Sequence, residues 1–495
     1  MTVDHLSHWA TETPDTMAVT DQRIPGEPGQ TRSMTFREFE AEVNRWANAM
    51  LEAGLESGAK VGWCGPNSLE ALAITHAARR TGTIAVPIPY KLTVGEAHFI
   101  TEHSEAALVW CDEGYEHLVP DSVPRFSRSD DGSPTDPGLA AEATRMLLYT
   151  SGTTGTPKGA LRKIGGAPGQ FGALLEMLWG GDSDHVYLTT GPLYHSGPSA
   201  FALRSHLLGA GVITQPSFDS ERWLQAVQEY GVTTTFSAPT SMRRITSLPA
   251  EVLARYDTST MRSYIANAAP WTMALKRAYL EYFPADSLWE VYGSTELSIS
   301  TVMKPADHLR KPGSCGELAP GVEMALFDDD GQRIDSSHTE GTLYVRSAGV
   351  FDTYFKNAEQ FEANRLDGWQ TVGDIAYFDD DGFWYICDRR NDLVVSGGVN
   401  VYPAEIENVL DDHPAVREIA VFGVPDEEWG QAVHACITAT DGVDTPTLEE
   451  LREFGRDRLA GYKLPKGLTV LDELPRTGSG KVLKRELQSR IAGRS

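Results

Sequence analysis

The chain has 495 residues, 41% of them hydrophobic, and 43 Lys and Arg against 69 Asp and Glu give a formal net charge of −26. That length exceeds one ordinary domain and can fill large cores, so two or more domains are expected. The acidic balance opposes a broad phosphate-backbone footprint, so nucleic acid is excluded as a partner, and the charge is read as a solubility feature suited to salty surroundings.

The N-terminus, "MTVDHLSHWATETPDTM", lacks the basic start and apolar core of a signal peptide, and no run approaches eighteen apolar residues. A cytoplasmic protein with no membrane span is expected, with a homodimer left open. Next come "KVGWCG" and "TIAVPIPY", which read as strands on either side of the helical "SLEALAITHAARR". "SRSDDGSPTDPG", residues 127–138, is polar and rich in Pro and Gly, so a surface loop is expected there. Further on, the strand-like "HVYLTTGPLYH" precedes the helical "SERWLQAVQEYG". This alternation points to α/β layers with mostly parallel sheets.

The texture changes after Gly321. "VEMALFDDDGQRI" and "IAYFDDDGFWYICDRR" each put an Asp-Gly turn between alternating runs, which predicts hairpins; neither continues in the spacing of a calcium-binding EF-hand. Beyond Arg390, "PAEIENVLDDHP" reads as a helix with Pro403 at its first position, followed by the strand "REIAVFGV". The expected organisation is a large multi-layer α/β domain over residues 1–390 and a small α+β domain over 391–495. Cys64, Cys111, Cys315, Cys387 and Cys436 are odd in number and never form a C-x-x-C pair, which predicts reduced cysteines without a metal or disulfide framework.

The chemistry starts at "LLYTSGTTGTPKGAL", residues 147–161. Glycines allow close backbone approach to an anion, hydroxyls and N–H groups donate to phosphate oxygens, and Lys158 adds a point charge. A triphosphate suits such a loop, although composition alone is also compatible with a plain surface loop. A Walker A reading fails, because Pro157 precedes Lys158 and Gly159 follows it. "TGSGKV" fails as well, with Pro475 at the place of the first Gly and Val482 after Lys481.

"YTSGTTGTPKG" resembles the phosphate loop of the adenylate-forming superfamily of acyl-CoA synthetases, luciferases and nonribosomal-peptide adenylation domains. "VYGSTE", "TVGDIAYFDDDGFWYICDRRNDLVVSGGVNVYPAEIE" and "LPRTGSGKVLKREL" resemble its later motifs, in its order. The resemblance implies a two-step ligase using ATP and Mg²⁺: a carboxylate attacks the α-phosphate to give acyl-AMP and pyrophosphate, and a second nucleophile then displaces AMP. By the same resemblance Thr150, Ser151, Gly152, Thr153, Thr154, Gly155 and Lys158 would cradle the phosphates, Thr154 with a catalytic part. Glu296 would hold Mg²⁺. Tyr292, Gly293, Ser294, Thr295, Ala268 and Ala269 would line the nucleotide, with Asp374 on the ribose hydroxyls and Arg389 nearby.

Lys481 in "PRTGSGK" would bridge the carboxylate and the α-phosphate, work suited to a compact cation on a flexible stem. The two domains would then close for the first step and rotate for the second about Asn391, where the family commonly carries Asp or Lys. "PLYHSGPSAFALRSHLLGAG" and "YIANAAPWT" resemble the segments around the acyl site. They make His195 a gate and Phe201, Ala202, Ala268, Trp271 and Gly293 pocket candidates for an aromatic, medium-chain or fatty acid. "SGGVNVYPAEIE" and "AGYKLPK" favour coenzyme A as acceptor; a free amine, giving an amide, is the alternative, and a carrier-protein thiol is a third. Without G-x-S-x-G, G-x-G-x-x-G or kinase motifs, hydrolase, dehydrogenase and kinase readings lack a carrier.

Overall fold

The computed structural model describes residues 4–22, 31–139, 144–150, 157–164, 168–179, 184–269, 271–389, 392–396, 399–426, 429–476 and 482–492. Two large sheets dominate the N-terminal part. The first has nine strands, in spatial order Glu317–Leu318, Ser298–Met303, Leu288–Ser294, Ser263–Ala266, Thr234–Ser237, Val186–Thr189, Gly211–Thr214, Met17–Asp21 and Arg32–Thr35. Its six inner strands, from Leu288–Ser294 to Met17–Asp21, run parallel, and its flanking strands are antiparallel. The second sheet has six strands, ordered Thr353–Tyr354, Lys158–Ile164, Thr144–Thr150, Ile84–Ile88, Lys60–Cys64 and Ala106–Cys111.

Local chemistry explains the helices that cover these sheets. Leu69–Thr81 starts where the Ser68 side chain accepts from the Ala71 N–H and stops at Gly82, whose φ of 71° is left-handed. Phe36–Glu52 carries a reciprocal capping box between Thr35 and Glu38. Ser220–Tyr230 has Asp219 as its N-cap and Gly231 after its end. Strands Ile84–Ile88 and Gly211–Thr214 are buried at every position, as parallel strands covered on both faces must be. Trp46, Trp63, Phe36 and Phe39 are fully buried in the largest core, each side chain contributing about 2–3 kcal/mol by leaving water.

Both Asp-Gly hairpins are present, Glu323–Phe327 with Arg333–Ile334 and Asp374–Phe378 with Trp384–Arg389, in a seven-stranded sheet. Residues 392–396 onward enter a different, five-stranded sheet, flanked by the helix Pro403–Leu410 with Pro403 at its first turn. The chain therefore has a large N-terminal α/β domain and a smaller C-terminal one. The loop at 127–138 is irregular, as expected, but it is stapled: Asn44 Nδ2 donates to the Pro134 carbonyl at 2.9 Å, and Asn48 Nδ2 donates to those of Ser133 and Thr135 at 3.0 and 2.9 Å. All five cysteines are free, and among the described residues no helix is long and apolar enough to cross a membrane.

A buried histidine pair ties the first strand to the helix Ser196–Leu207. His206 Nε2 donates to the Ala18 carbonyl at 2.9 Å, so its Nδ1 accepts from His76 Nε2, also at 2.9 Å. Burial pulls the His206 pKa down to about 4, against the pull of the Ala18 carbonyl. The unfolded chain therefore takes up a proton near pH 6.5 that the native state refuses, and the stability of the neutral pair is lost as pH falls from there toward about 4. A drop from 6.5 to about 4 is worth up to about 3 kcal/mol. The urea midpoint is expected to fall between pH 7 and pH 5, and less steeply in His206→Gln; equal midpoints for the wild type at both pH values would count against this account.

Candidate active site at the carboxyl edge of the main sheet

Parallel strands send their carboxyl ends, and the loops that follow, to one edge of a sheet, the place where open α/β sheets bind ligands. Here the strands Val186–Thr189, Thr234–Ser237, Ser263–Ala266 and Leu288–Ser294 deliver the segments that follow them, at 190–195, 238–240, 267–269 and 295–297, to that edge. His195, Thr240, Ala268 and Glu296 are thus brought together by topology.

Glu296 is fixed from several sides. Its carbonyl accepts from the Phe351 N–H at 2.9 Å, its own N–H donates to Ser294 Oγ at 3.2 Å, and its Oε1 accepts from the Tyr354 hydroxyl at 3.1 Å. Tyr354 pairs with Ala160 across the second sheet, and the Phe355 N–H donates to the Gly159 carbonyl at 2.7 Å. Lys158 lies on the same strand, its Nζ donating to Gln360 Oε1 at 3.1 Å and standing 5.9 Å from the Tyr354 ring centre. The end of the glycine-rich loop and the acid of "GSTE" therefore meet through Tyr354. Arg162, two residues after that loop's strand pairing with Tyr354, adds a cation: burial pulls its pKa down, while the Glu296 and Asp352 carboxylates oppose the fall.

A second cluster lies on the other side of "YGSTE". The Tyr292 hydroxyl donates to the carboxylate of Asp374, which is buried, and Asp374 faces Arg389 in the strand register. Gly293 must be glycine: a β-carbon there would lie 1.9 Å from the Ser298 carbonyl oxygen. The Thr295 and Ser196 hydroxyls are 3.0 Å apart, which joins the motif to the helix that begins after His195. Ala268 has a φ of 77°, a left-handed conformation that costs a non-glycine residue about 1–2 kcal/mol. Its neighbour Asn267 holds it there, accepting no freedom of its own: Nδ2 donates to the Val291 carbonyl at 2.5 Å and the N–H to that of Ser237 at 3.0 Å.

His195 is half-buried, edge-on to the Tyr194 ring at 4.5 Å. Phe201 stacks on Phe236 at 5.2 Å, and Trp271 packs edge-on to Tyr264 at 5.6 Å. Phe201, Ala202 and Trp271, expected as pocket walls, are 1%, 0% and 4% exposed and belong to the hydrophobic cores, whereas His195, Ala268 and Gly293 are half-buried and Ala269 is exposed. Thr150 faces Lys158 in the register at the mouth of the loop. Ser151, Gly152, Thr153, Thr154, Gly155, Asn391 and Lys481 lie outside the described residues, as does the Arg389 side chain. Sequence reading missed Tyr354, Gln360, Ser196 and Asn267. Ser196 and Asn267 lie inside the segments that resemble an acyl site, whereas Tyr354 and Gln360 lie in no motif, and the two-residue strand Thr353–Tyr354 carries no periodicity to find it by.

The family model described as AMP-binding enzyme matches residues 6–355, and that of the AMP-binding enzyme C-terminal domain matches 405–481. The chain belongs to the AMP-binding enzyme family. It is 30% identical to the indoleacetate–CoA ligase of Aromatoleum aromaticum, over 95% of this chain and 97% of the relative. Among solved structures, it is similar to the o-succinylbenzoate CoA synthetase of Bacillus subtilis in complex with its acyl-adenylate intermediate. The TM-score is 0.82 with 28% identity, covering 98% of each chain. It is also similar to the amide bond synthetase McbA of Marinactinospora thermotolerans, with a TM-score of 0.85 and 26% identity over 98% of this chain and 100% of that one.

For an AMP-binding enzyme the site must accept a nucleotide with Mg²⁺. Among the described residues no group of three or more His, Cys, Asp or Glu side chains comes together to hold a metal. Mg²⁺ keeps most of its waters and takes one or two carboxylates together with substrate phosphates. Glu296, held by the Tyr354 hydroxyl, is a carboxylate that could hold it. Tyr354→Phe, which removes one hydrogen bond from Glu296, is expected to weaken ATP–Mg²⁺ binding about 10–150-fold by calorimetry, the weight of a bond to a charged group. Gly293→Ala is expected to abolish nucleotide binding by displacing the Ser298 backbone; unchanged affinity in both variants would show that ATP binds elsewhere.

Proposed function

We propose that this chain is an AMP-forming acid–thiol ligase, which activates a small-molecule carboxylic acid with ATP and passes the acyl group to coenzyme A. The observation that carries the reading is the position of Glu296, between the end of the glycine-rich loop, reached through Tyr354, and the Tyr292–Asp374 pair. One side of this arrangement suits phosphates and the other suits a nucleoside. The named activities of the similar proteins, ligation of indoleacetate to CoA and formation of an acyl-adenylate, support the same chemistry.

In the first step the carboxylate oxygen attacks the α-phosphorus of ATP; the bond to the β-phosphate breaks and pyrophosphate leaves. Negative charge collects on the phosphates, so the protein's contribution is positioning and preorganised charge. Thr150, Lys158 and the intervening hydroxyls hold the β- and γ-phosphates, and Tyr292 and Asp374 orient the nucleoside. Mg²⁺, held through Glu296, supplies charge neutralisation on the phosphate oxygens. Lys481 holds the two reacting anions together. In the second step the CoA thiol attacks the acyl carbonyl and AMP leaves. We place the domain boundary at 390/391 with Asn391 as the pivot, since the strand Trp384–Arg389 closes one sheet and Val394–Ser396 opens another.

The acid enters beside His195 and Ala268. The acid is aromatic, medium-chain or fatty, and the panel below distinguishes these. ATP and CoA as co-substrates make the cytoplasm its setting. Likeness to an amide bond synthetase makes a free amine the second acceptor to test.

Mass spectrometry of products from ATP, Mg²⁺ and a panel of acids, with CoA and amines supplied together, is expected to give AMP, pyrophosphate and an acyl-CoA. Amides in place of thioesters would move the acceptor to an amine, and ADP would overturn adenylation. Lys481→Ala is expected to keep its far-UV circular dichroism and lose at least about 100-fold in acid-dependent pyrophosphate release. His195→Ala is expected to change which acids are used while leaving the affinity for ATP within about twofold, since a gate beside the carboxylate contacts the acid alone.

A further inference from the structure

The end of the helix Pro403–Leu410 carries two acids, Asp411 and Asp412, where the helix dipole disfavours negative charge. Most of their partners come from outside the helix. The Asp411 side chain is only 2% exposed, and its Oδ2 accepts from Arg243 Nη2 at 3.0 Å and from Thr272 Oγ1 at 2.7 Å. Both partners belong to the large domain. Asp412 is paired with Arg277 of the large domain at 2.9 Å and with Arg458 of its own domain at 3.5 Å.

These partners sit on the elements that build the site. Thr272 follows the strained loop of Ala268 and caps the helix Met273–Tyr282, its side chain also accepting from the Leu275 N–H. Arg243 lies on the helix Pro239–Thr246, which follows the carboxyl end of the strand Thr234–Ser237, and its Nη1 also donates to the Arg417 carbonyl at 2.9 Å. Three residues before it, on the same face of that helix, Thr240 accepts from Arg476 Nη1 at 3.1 Å. Arg476 stands five residues before Lys481 in the sequence, and it is anchored in its own domain by Glu418 at 2.5 Å. One helix of the large domain thus binds both the acidic end of Pro403–Leu410 and Arg476.

We propose that Asp411 is a positioning residue for the first half-reaction: its buried carboxylate, shared by Arg243 and Thr272, latches the small domain in the arrangement that presents Lys481. The proposal rests on the two-step reading above. A buried carboxylate with its guanidinium partner is tolerated only as a pair, so removing one member leaves the other desolvated without compensation and depopulates the docked state. When the small domain turns away for the second step, Asp411 and Arg243 both return to water, and the latch contributes nothing to that step. The asymmetry separates a latch from a residue that merely stabilises the fold, whose loss would affect both half-reactions alike.

The test measures the half-reactions separately in Asp411→Asn: ATP–pyrophosphate exchange with a turned-over acid for the first, and thioester or amide formation from pre-made acyl-AMP for the second. A loss of about 10–100-fold in the first with the second within about twofold is expected. Equal losses in both, or an unimpaired first step, would overturn the proposal. The double variant Asp411→Asn with Arg243→Met, which leaves no unpaired buried charge, is expected to recover part of the loss; a double variant as slow as the product of the two single losses would argue against a shared latch. Hydrogen exchange on the ligand-free protein tests the latch without any substrate. Faster exchange of Pro239–Thr246 and Pro403–Leu410 in Asp411→Asn alone supports it, and unchanged exchange refutes it. If the wild type forms no acyl-AMP with any acid, the functional reading fails, while the exchange measurement still decides the latch.

Discussion

The site depends on the contact by which Glu296 is held between two sheets. Its loop leaves the carboxyl end of the strand Leu288–Ser294 in the nine-stranded sheet, and its carbonyl and carboxylate are taken by Phe351 and Tyr354, beside and within a short strand of the six-stranded sheet. That strand lies against Lys158–Ile164, the strand that follows the glycine-rich loop. The acid and the loop are more than a hundred residues apart in the chain, and no local preference brings them together. A half-buried carboxylate left without its donor would either draw in water or move, so the hydrogen bond from Tyr354 fixes Glu296 relative to the strand Lys158–Ile164. Catalysis by preorganised charge needs that distance set before substrate arrives.

A second constraint acts on the backbone. Gly293 and Ala268 occupy neighbouring strand ends, one where a side chain would strike the Ser298 carbonyl and one where the backbone is left-handed despite carrying a β-carbon. Asn267 and the Ser237 and Val291 carbonyls hold the second in place. Strain of this kind persists only where surrounding structure over-determines it, and here Asn267, bonded to the two neighbouring strands, does so. The same loop leads to Thr272, so the geometry of the site and the seating of the small domain are mechanically continuous.

Much of the fold was legible. The stretches "SLEALAITHAARR" and "SERWLQAVQEYG", read as helical, form the helices Leu69–Thr81 and Ser220–Tyr230, because helical periodicity acts within a few residues. The Asp-Gly hairpins followed from turn chemistry alone. The motifs also named Tyr292 and Asp374, and the structure bonds them to each other. Phe201, Ala202 and Trp271, expected as walls from the resemblance of their segments to an acyl site, are buried in the cores. A motif places a residue in a segment, and packing decides which way its side chain points.

Sequence by itself determined the elements, their α/β order and the family chemistry, because caps, turn residues and the spacing of small hydroxylated residues act within a few positions of each other. Only the tertiary structure decided that Tyr354 meets Glu296, that Ala268 is strained and that Asp411 is shared by Arg243 and Thr272. Each of these contacts joins segments distant along the chain, and each depends on burial, which makes an otherwise ordinary hydroxyl or carboxylate bind one partner in one geometry.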